Sequence, residues 1–202
     1  MILMKSIPVL LLLFIFFSCS KDKTYSDFNL KDGEIVTLLV DHKFGSRGNL
    51  VYRYPQLIPG EIHLFGFLDR EPGYNYHIKA KMVVPNLPPQ DGPSYHLEFL
   101  NVEKKEKYLG NETFEIPLIL GIIPGGPFIN MHKEEGKYLF SNKVTLNFTA
   151  EEIGEKLEEI WQHKVEVDQV QKTLKWKSIT LTVNHDPSSF GQAYIVSKIT
   201  VE

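Results

Sequence analysis

The chain has 202 residues, of which 43% are hydrophobic and 12% aromatic; that much apolar material can build a core and excludes a disordered chain. A formal net charge of −3 with no basic stripe excludes an electrostatic nucleic-acid interface, since the nearest candidate, Lys104-Lys105-Glu106-Lys107, carries an acid inside it. The single cysteine, Cys19, excludes a disulfide framework, so stability must come from packing.

The N-terminus is the most informative segment. Residues 7–17 (IPVLLLLFIFF) form an apolar run behind Lys5, and Ser18-Cys19-Ser20 closes it. A positive start, a short apolar core and a small residue at the end are the layout of a secretory signal. The run is shorter than the roughly 20 residues that a membrane-spanning helix needs. With cysteine at the cleavage point it resembles a bacterial lipoprotein signal, which implies removal of residues 1–18 and lipidation of Cys19. Phe16-Phe17-Ser18 departs from the commonest Leu-Ala-Gly pattern but keeps the small residue before the cysteine. The alternative is an ordinary signal peptide that ends near a buried cysteine. Residues 20–32 (SKDKTYSDFNLKD) are polar, and the lipidated tether is placed at 19–30, with the folded domain over 31–202.

Beyond the tether the texture is β. Residues 34–41 (EIVTLLVD), 50–54 and 61–67 predict strands, bounded by the Phe44-Gly45-Ser46-Arg47-Gly48 turn, Pro55 and Pro59-Gly60. Residues 74–84 alternate, with Tyr74, Tyr76, Ile78, Ala80 and Met82 on one face. Pro72-Gly73 before them suits a tight turn, and the prolines of residues 85–93 predict a loop. Strands follow at 95–102 and 113–123. The second of these, with Phe128-Ile129, is the most apolar part of the mature chain. It predicts a buried central strand or, if exposed, a partner surface. Thr149-Ala150-Glu151-Glu152 is a capping box. Ile153, Leu157, Ile160 and Trp161 then recur on one helical stripe, which predicts a helix over 150–163 ending near His163-Lys164. Strands at 174–183 and 193–201 close the chain. The expected fold is mainly β (α+β), a barrel-like or sandwich-like domain with one packed amphipathic helix, and residues 108–112 (YLGNE) mark a candidate sub-boundary.

From 65 to 107 the chain carries Gly66-Phe67, Glu71-Pro72-Gly73-Tyr74-Asn75-Tyr76, Lys79, Pro88-Pro89-Gln90-Asp91, Ser94-Tyr95 and the lysine-rich Lys104-Lys105-Glu106-Lys107. This pattern resembles an uncharacterised domain of bacterial envelope lipoproteins. Members often carry cysteines ahead of the segment, and here there are none. The resemblance implies a lipoprotein domain and supplies no active site.

No catalytic, cofactor-binding or metal-ligating set is predicted. The seven histidines lack zinc spacing, and Gly-x-Ser-x-Gly is absent. His63 and His96 fit core or edge positions in strands. His185-Asp186 beside Ser188-Ser189 contains triad residue types, but neighbours in sequence seldom converge in space. Glu151, Glu152, Glu155, Glu158 and Glu159 read as a solvated helix face. The candidate binding residues are Tyr52 and Tyr54, aromatics beside a turn, while Tyr74 and Tyr76 fit the core. The expectation is a non-enzymatic binding or structural lipoprotein of the bacterial envelope, with a hydrolase using His185, Asp186 and a serine as the alternative. Its partners would be the membrane, through the Cys19 lipid anchor, and a protein, peptide or glycan. Ser20, in place of an aspartate after the cysteine, permits outer-membrane sorting, with the domain outside the cytoplasm.

Overall fold

The computed structural model describes residues 23–47, 50–87, 90, 92–121, 125–170 and 173–202. It is mostly β, with curled sheets in a half-barrel and sandwich arrangement and a single α-helix among the described residues. The expected signal peptide, Cys19 and the first residues of the tether lie outside the described residues.

Alternation builds the first sheet. In β1 (Ile35–Val40), Val36, Leu38 and Val40 are buried and their neighbours are not, as a strand with one covered face requires. β2 (Val51–Arg53) pairs antiparallel with β1, and β3 (Ile58–Pro59) with β2. On the other side of β1 lies β5 (Tyr74–Val83), which pairs with the long β6 (His96–Lys107). β4 (Leu64–Phe65) completes the order β3-β2-β1-β5-β6-β4, parallel to β6. The expected strand over 61–67 thus shrinks to two residues, at an edge where β6 alone is within pairing reach. Tyr76, Ile78, Ala80 and Met82 enter the core with Leu38 and Leu97, and Phe28 and Leu30 cover it; Tyr74 is only half-buried.

Pro72-Gly73 leads into β5 as the sequence predicts. Gly73 has a φ of +80°, and a Cβ there would sit 2.7 Å from the Phe190 ring. Both the turn and the approach of Phe190 therefore require glycine.

The second sheet has the order β10-β11-β12-β14-β13-β7. Its edge strand β7 (Phe114–Pro117) pairs with β13 (Ile179–His185), which pairs with β14 (Ala193–Val201). The short hairpin of β8 (Ile119–Gly121) and β9 (Pro127–Ile129) packs beside it. The apolar run from 114 is therefore buried, with Phe114, Ile116, Leu118 and Ile119 in the core, but it is not central. Pro117 offers no N–H for a further neighbour, and an edge position tolerates that. Residues 122–124 of that run lie outside the described residues.

Residues 131–147 carry no long alternating run, yet they form the meander β10 (Met131–Glu134), β11 (Lys137–Phe140) and β12 (Val144–Asn147). Tight turns of two and three residues, 135–136 and 141–143, make it. Glu135 and Gly136 have φ of 47° and 78°, and Ser141 and Asn142 have 53° and 52°, the paired positive values that match strand twist in tight hairpins.

The helix α1 (Glu151–Val170) buries Leu157 and Ile160 fully, with Ile153 and Trp161 packed alongside, against the core of this sheet. It runs past the expected end at His163-Lys164. No glycine or proline follows to stop it, and Lys164 pairs with Asp168 one turn on. His163 instead receives the returning chain through the Lys175 amide, at 2.9 Å. Of the expected solvated carboxylates, Glu158 is an exception. Lys133 Nζ on β10 lies 2.5 Å from its Oε2, and the Tyr138 hydroxyl on β11 also donates to it. These bonds, with Gln162, pull its carboxyl down to about 2.

Each sheet has its own buried cluster, and residues 108–113 run between them. Specific contacts cross the junction. The Tyr194 hydroxyl donates to the Phe44 carbonyl at 2.9 Å, Lys143 Nζ donates to the Arg70 carbonyl at 2.5 Å, and Tyr74 meets Phe190 edge to face.

Candidate functional site

Two places gather chemistry, and they adjoin. The first is the junction of the sheets. His42 follows β1 and His185 ends β13, and both rings are buried. His42 Nδ1 lies 2.9 Å from His185 Nε2, and His42 Nε2 lies 3.0 Å from Glu112 Oε1. Tyr108 stacks on the His42 ring, with centroids 3.5 Å apart. Asp41 Oδ1 is 3.6 Å from His42 Nε2, and Lys43 Nζ is 3.4 Å from Glu112. The connecting segment thus clamps His42 with both an aromatic face and a carboxylate.

The bonds fix the tautomers. Glu112, an acceptor when ionised, accepts a hydrogen bond from His42 Nε2–H, so the Nδ1 of the neutral His42 ring presents a lone pair and His185 Nε2–H donates to it. His185 Nδ1 is then a bare lone pair, and this atom is buried without a partner. Protonating it would bury an N–H with no acceptor. Burial first, and then the adjacent His42, push the His185 imidazole down to about 4. Burial lowers His42 as well, against the opposing pull of Asp41 and Glu112. Burial works against the Glu112 carboxylate, but the His42 hydrogen bond and the Lys43 charge outweigh it and hold it below its usual range. Next to this cluster, a pocket of about 250 Å³ is lined by Tyr52, Leu57, Asn75, Tyr108 and Glu112 among others.

The second place is a groove of about 550 Å³ on the core side of the first sheet, beneath residues 60–70. Val40, Leu50, Val51, Ile62, Leu64 and Phe67 give it aliphatic and aromatic walls, with Glu61 and His63 exposed at its rim. Arg70 also lines it. Its Nη2 donates to the Asp41 carbonyl and its guanidinium stands 5.8 Å from the Phe44 ring centroid, but its buried Nε has no partner. Among the described residues no carboxylate pairs with it. Burial lowers its affinity for the proton, with Tyr194, Asp41 and Tyr76 opposing. A volume in the range of small-molecule sites, roughly 300–1,000 Å³, with apolar side chains on its walls and Glu61, His63 and Arg70 among them is compatible with a ligand.

Of the candidate binding residues, Tyr52 is half-buried on β2 and lines the smaller pocket, whereas Tyr54 is exposed, its ring edge-on to His77 at 4.6 Å. They therefore do not form one surface patch. Replacing both with Ala should lower stability by no more than about 1 kcal/mol, because neither is a core residue. A urea-unfolding midpoint that collapses in this double variant would place Tyr52 in the core instead.

The triad types do not converge. Asp186 accepts from the Ser188 amide and hydroxyl, at 2.8 and 2.6 Å, and from Asn147 at 2.7 Å, while His185, its neighbour on the strand, turns to His42. Besides Glu158, Glu159 is bonded by Lys156 and, from beyond the helix, by Lys175. Among the described residues no group of three His, Cys, Asp or Glu side chains is placed to hold a metal ion, and no helix is long and apolar enough to cross a membrane. His63 is exposed and His96 half-buried, each beside the Phe65 ring.

Sequence pattern missed His42, Tyr108, Glu112 and Arg70. The only local signal was polarity out of place: His42 just past the apolar β1, and Arg70 within an aromatic segment. No family model, curated protein or solved structure matches this chain.

Proposed function

We propose that this protein is a lipid-anchored lipoprotein of the bacterial envelope that works as a non-enzymatic binding protein. In this reading residues 1–18 are removed, acyl chains on Cys19 hold it to the membrane, and the β-rich domain stands outside the cytoplasm. The observation that carries the binding role is the open cleft lined by aliphatic and aromatic side chains, with Arg70, which pairs with no carboxylate among the described residues, in its wall. The anchor rests on the sequence of residues 1–20. The hydrolase alternative has less support, because the Ser188 hydroxyl donates a hydrogen bond to Asp186 while His185 meets His42.

The anchor has a direct test. One acyl chain holds a protein to a bilayer only marginally and two or more hold it stably. Cys19→Ala should therefore move the protein from the membrane fraction to the soluble one, or leave it as an unprocessed precursor without lipid. Processed Cys19→Ala protein that stays in the membrane fraction and carries no acyl chain in mass spectrometry would overturn the assignment.

A further inference from the structure

We infer that the groove under residues 60–70 binds a single-chain amphiphile with an anionic head, a long-chain carboxylate, whose head group is received by Arg70. This rests on the binding role proposed above and specifies its ligand.

The walls set the tail. Val40, Leu50, Val51, Ile62, Leu64 and Phe67 offer only hydrocarbon and one ring face, so a ligand lying on them gains by removing apolar area from water and has little to bond to. Gly60, also in the lining, is packed so closely on Phe28 that a Cβ there would fall 2.3 Å from its ring; the groove wall at that point is held rigid by the core.

Arg70 sets the head. A guanidinium carries five N–H donors in a fixed fork and no acceptor. Here one arm is committed to the Asp41 carbonyl, a ring stands near the cation, and Nε is buried with nothing to bond. A buried donor left unmade is costly, and a buried cation without a counter-charge more so. A carboxylate head in the groove adds a negative charge to the distant one of Asp41 and can bond the part of the fork that stays accessible, Nε itself being enclosed. Asp41 acts on the cation only from a distance: it offers Arg70 its backbone carbonyl, while its carboxylate faces His42 and Lys43. Glu61 is exposed at the rim. A neutral amphiphile would satisfy the walls but leave the cation as it is. A diacyl lipid brings a second chain, for which the lining shows no second apolar channel.

The test compares dodecanoate with its neutral counterpart dodecanol. Both are titrated by calorimetry into the full chain in lipid discs, with empty discs subtracted. Dodecanoate should bind roughly tenfold or more tighter than dodecanol, the scale of one charge-assisted hydrogen bond. Arg70→Gln should bring the two together, and Arg70→Lys should restore part of the difference. Leu64→Trp, which fills the groove, should weaken both ligands alike. The comparison in the unaltered protein needs no variant, so it stands even if Arg70→Gln does not fold. If neither ligand binds, the binding role falls together with the ligand. If both bind equally, or if Arg70→Gln leaves the difference intact, the groove is a binding site but the anionic head is wrong. Native mass spectrometry supplies the last arm: a diacyl phospholipid or a peptide carried by the purified protein, in place of a monoacyl carboxylate, would overturn the proposed occupant.

Discussion

Tyr194→Ala is expected to lower the free energy of unfolding by about 3–5 kcal/mol, the usual loss for a large aromatic core residue. The ring is fully buried on β14, edge-on to Phe114 at 5.2 Å and to His185 at 5.3 Å. Its hydroxyl reaches the Phe44 carbonyl in the loop after β1, so one side chain holds the core of the second sheet and a tie to the first. Burial raises the phenol well above its ordinary value, which keeps the group a neutral donor at any physiological pH. Tyr194→Phe separates the two roles. It keeps the ring, leaves the Phe44 carbonyl without its donor, and should cost about 1–2 kcal/mol. Equilibrium urea unfolding, followed through Trp161 and Trp176, measures both, since these are the chain's two tryptophans and both pack on the second sheet. A loss under about 1 kcal/mol for Tyr194→Ala would show that the ring is not central to the fold.

The second large effect is acid sensitivity at the junction. In the unfolded chain His185 takes up its proton near pH 6.5; in the folded protein it does so only near 4. Between those values the unfolded state holds more protons, so stability rises with pH across the window and is fully present above about 6.5. As pH falls from 6.5 to 4 the protein should lose on the order of 2–3 kcal/mol from this one group, taking about 1.4 kcal/mol for each pH unit of displacement. His42, also lowered by burial, acts in the same direction. Glu158 adds a separate decline below about pH 4.5, because a carboxyl held near 2 loses its bonds to Lys133 and Tyr138 as it is protonated. His185→Gln keeps an N–H for His42 and removes the titration. Its urea midpoint should therefore fall less than that of the unaltered protein between pH 6.5 and 4.5. Equal slopes in the two proteins would mean that His185 is not the group responsible.

What could be seen in the sequence was local. The buried alternation of β5, the Pro72-Gly73 turn and the Leu157/Ile160 stripe of α1 are each set by residues within a few positions of one another, and pattern reveals such features directly. The meander at 131–147 was hidden because its strands are four residues long and one of its turns places a glutamate, Glu135, at positive φ. The burial of the run from 114 was visible, but its place at the edge depends on where β13 lies, and β13 begins more than sixty residues later. The candidate site was least visible. His42 and His185 are 143 residues apart, and nothing near either one announces the other. Arg70 draws its meaning from a bond it lacks, which is a property of the folded surroundings and not of any spacing. Tyr52 and Tyr54, two residues apart and so expected on one face of a strand, part because β2 ends at Arg53 and Tyr54 lies beyond it.

The position of β14 in its sheet has a consequence for how the protein is made. It lies between β12, to which it is parallel, and β13, to which it is antiparallel, yet every other described strand precedes it in the chain. The first sheet is complete once residue 107 has emerged, and its long β5–β6 pairing joins strands close in sequence, a low entropic barrier. The second sheet cannot close in that order. Until residues 193–201 arrive, β12 and β13 present open edges with no strand between them, and open edges are templates for pairing with other chains. A nascent chain therefore passes through a stage with one finished half and one exposed half, and the closing step is the insertion of its latest strand into the middle of a sheet.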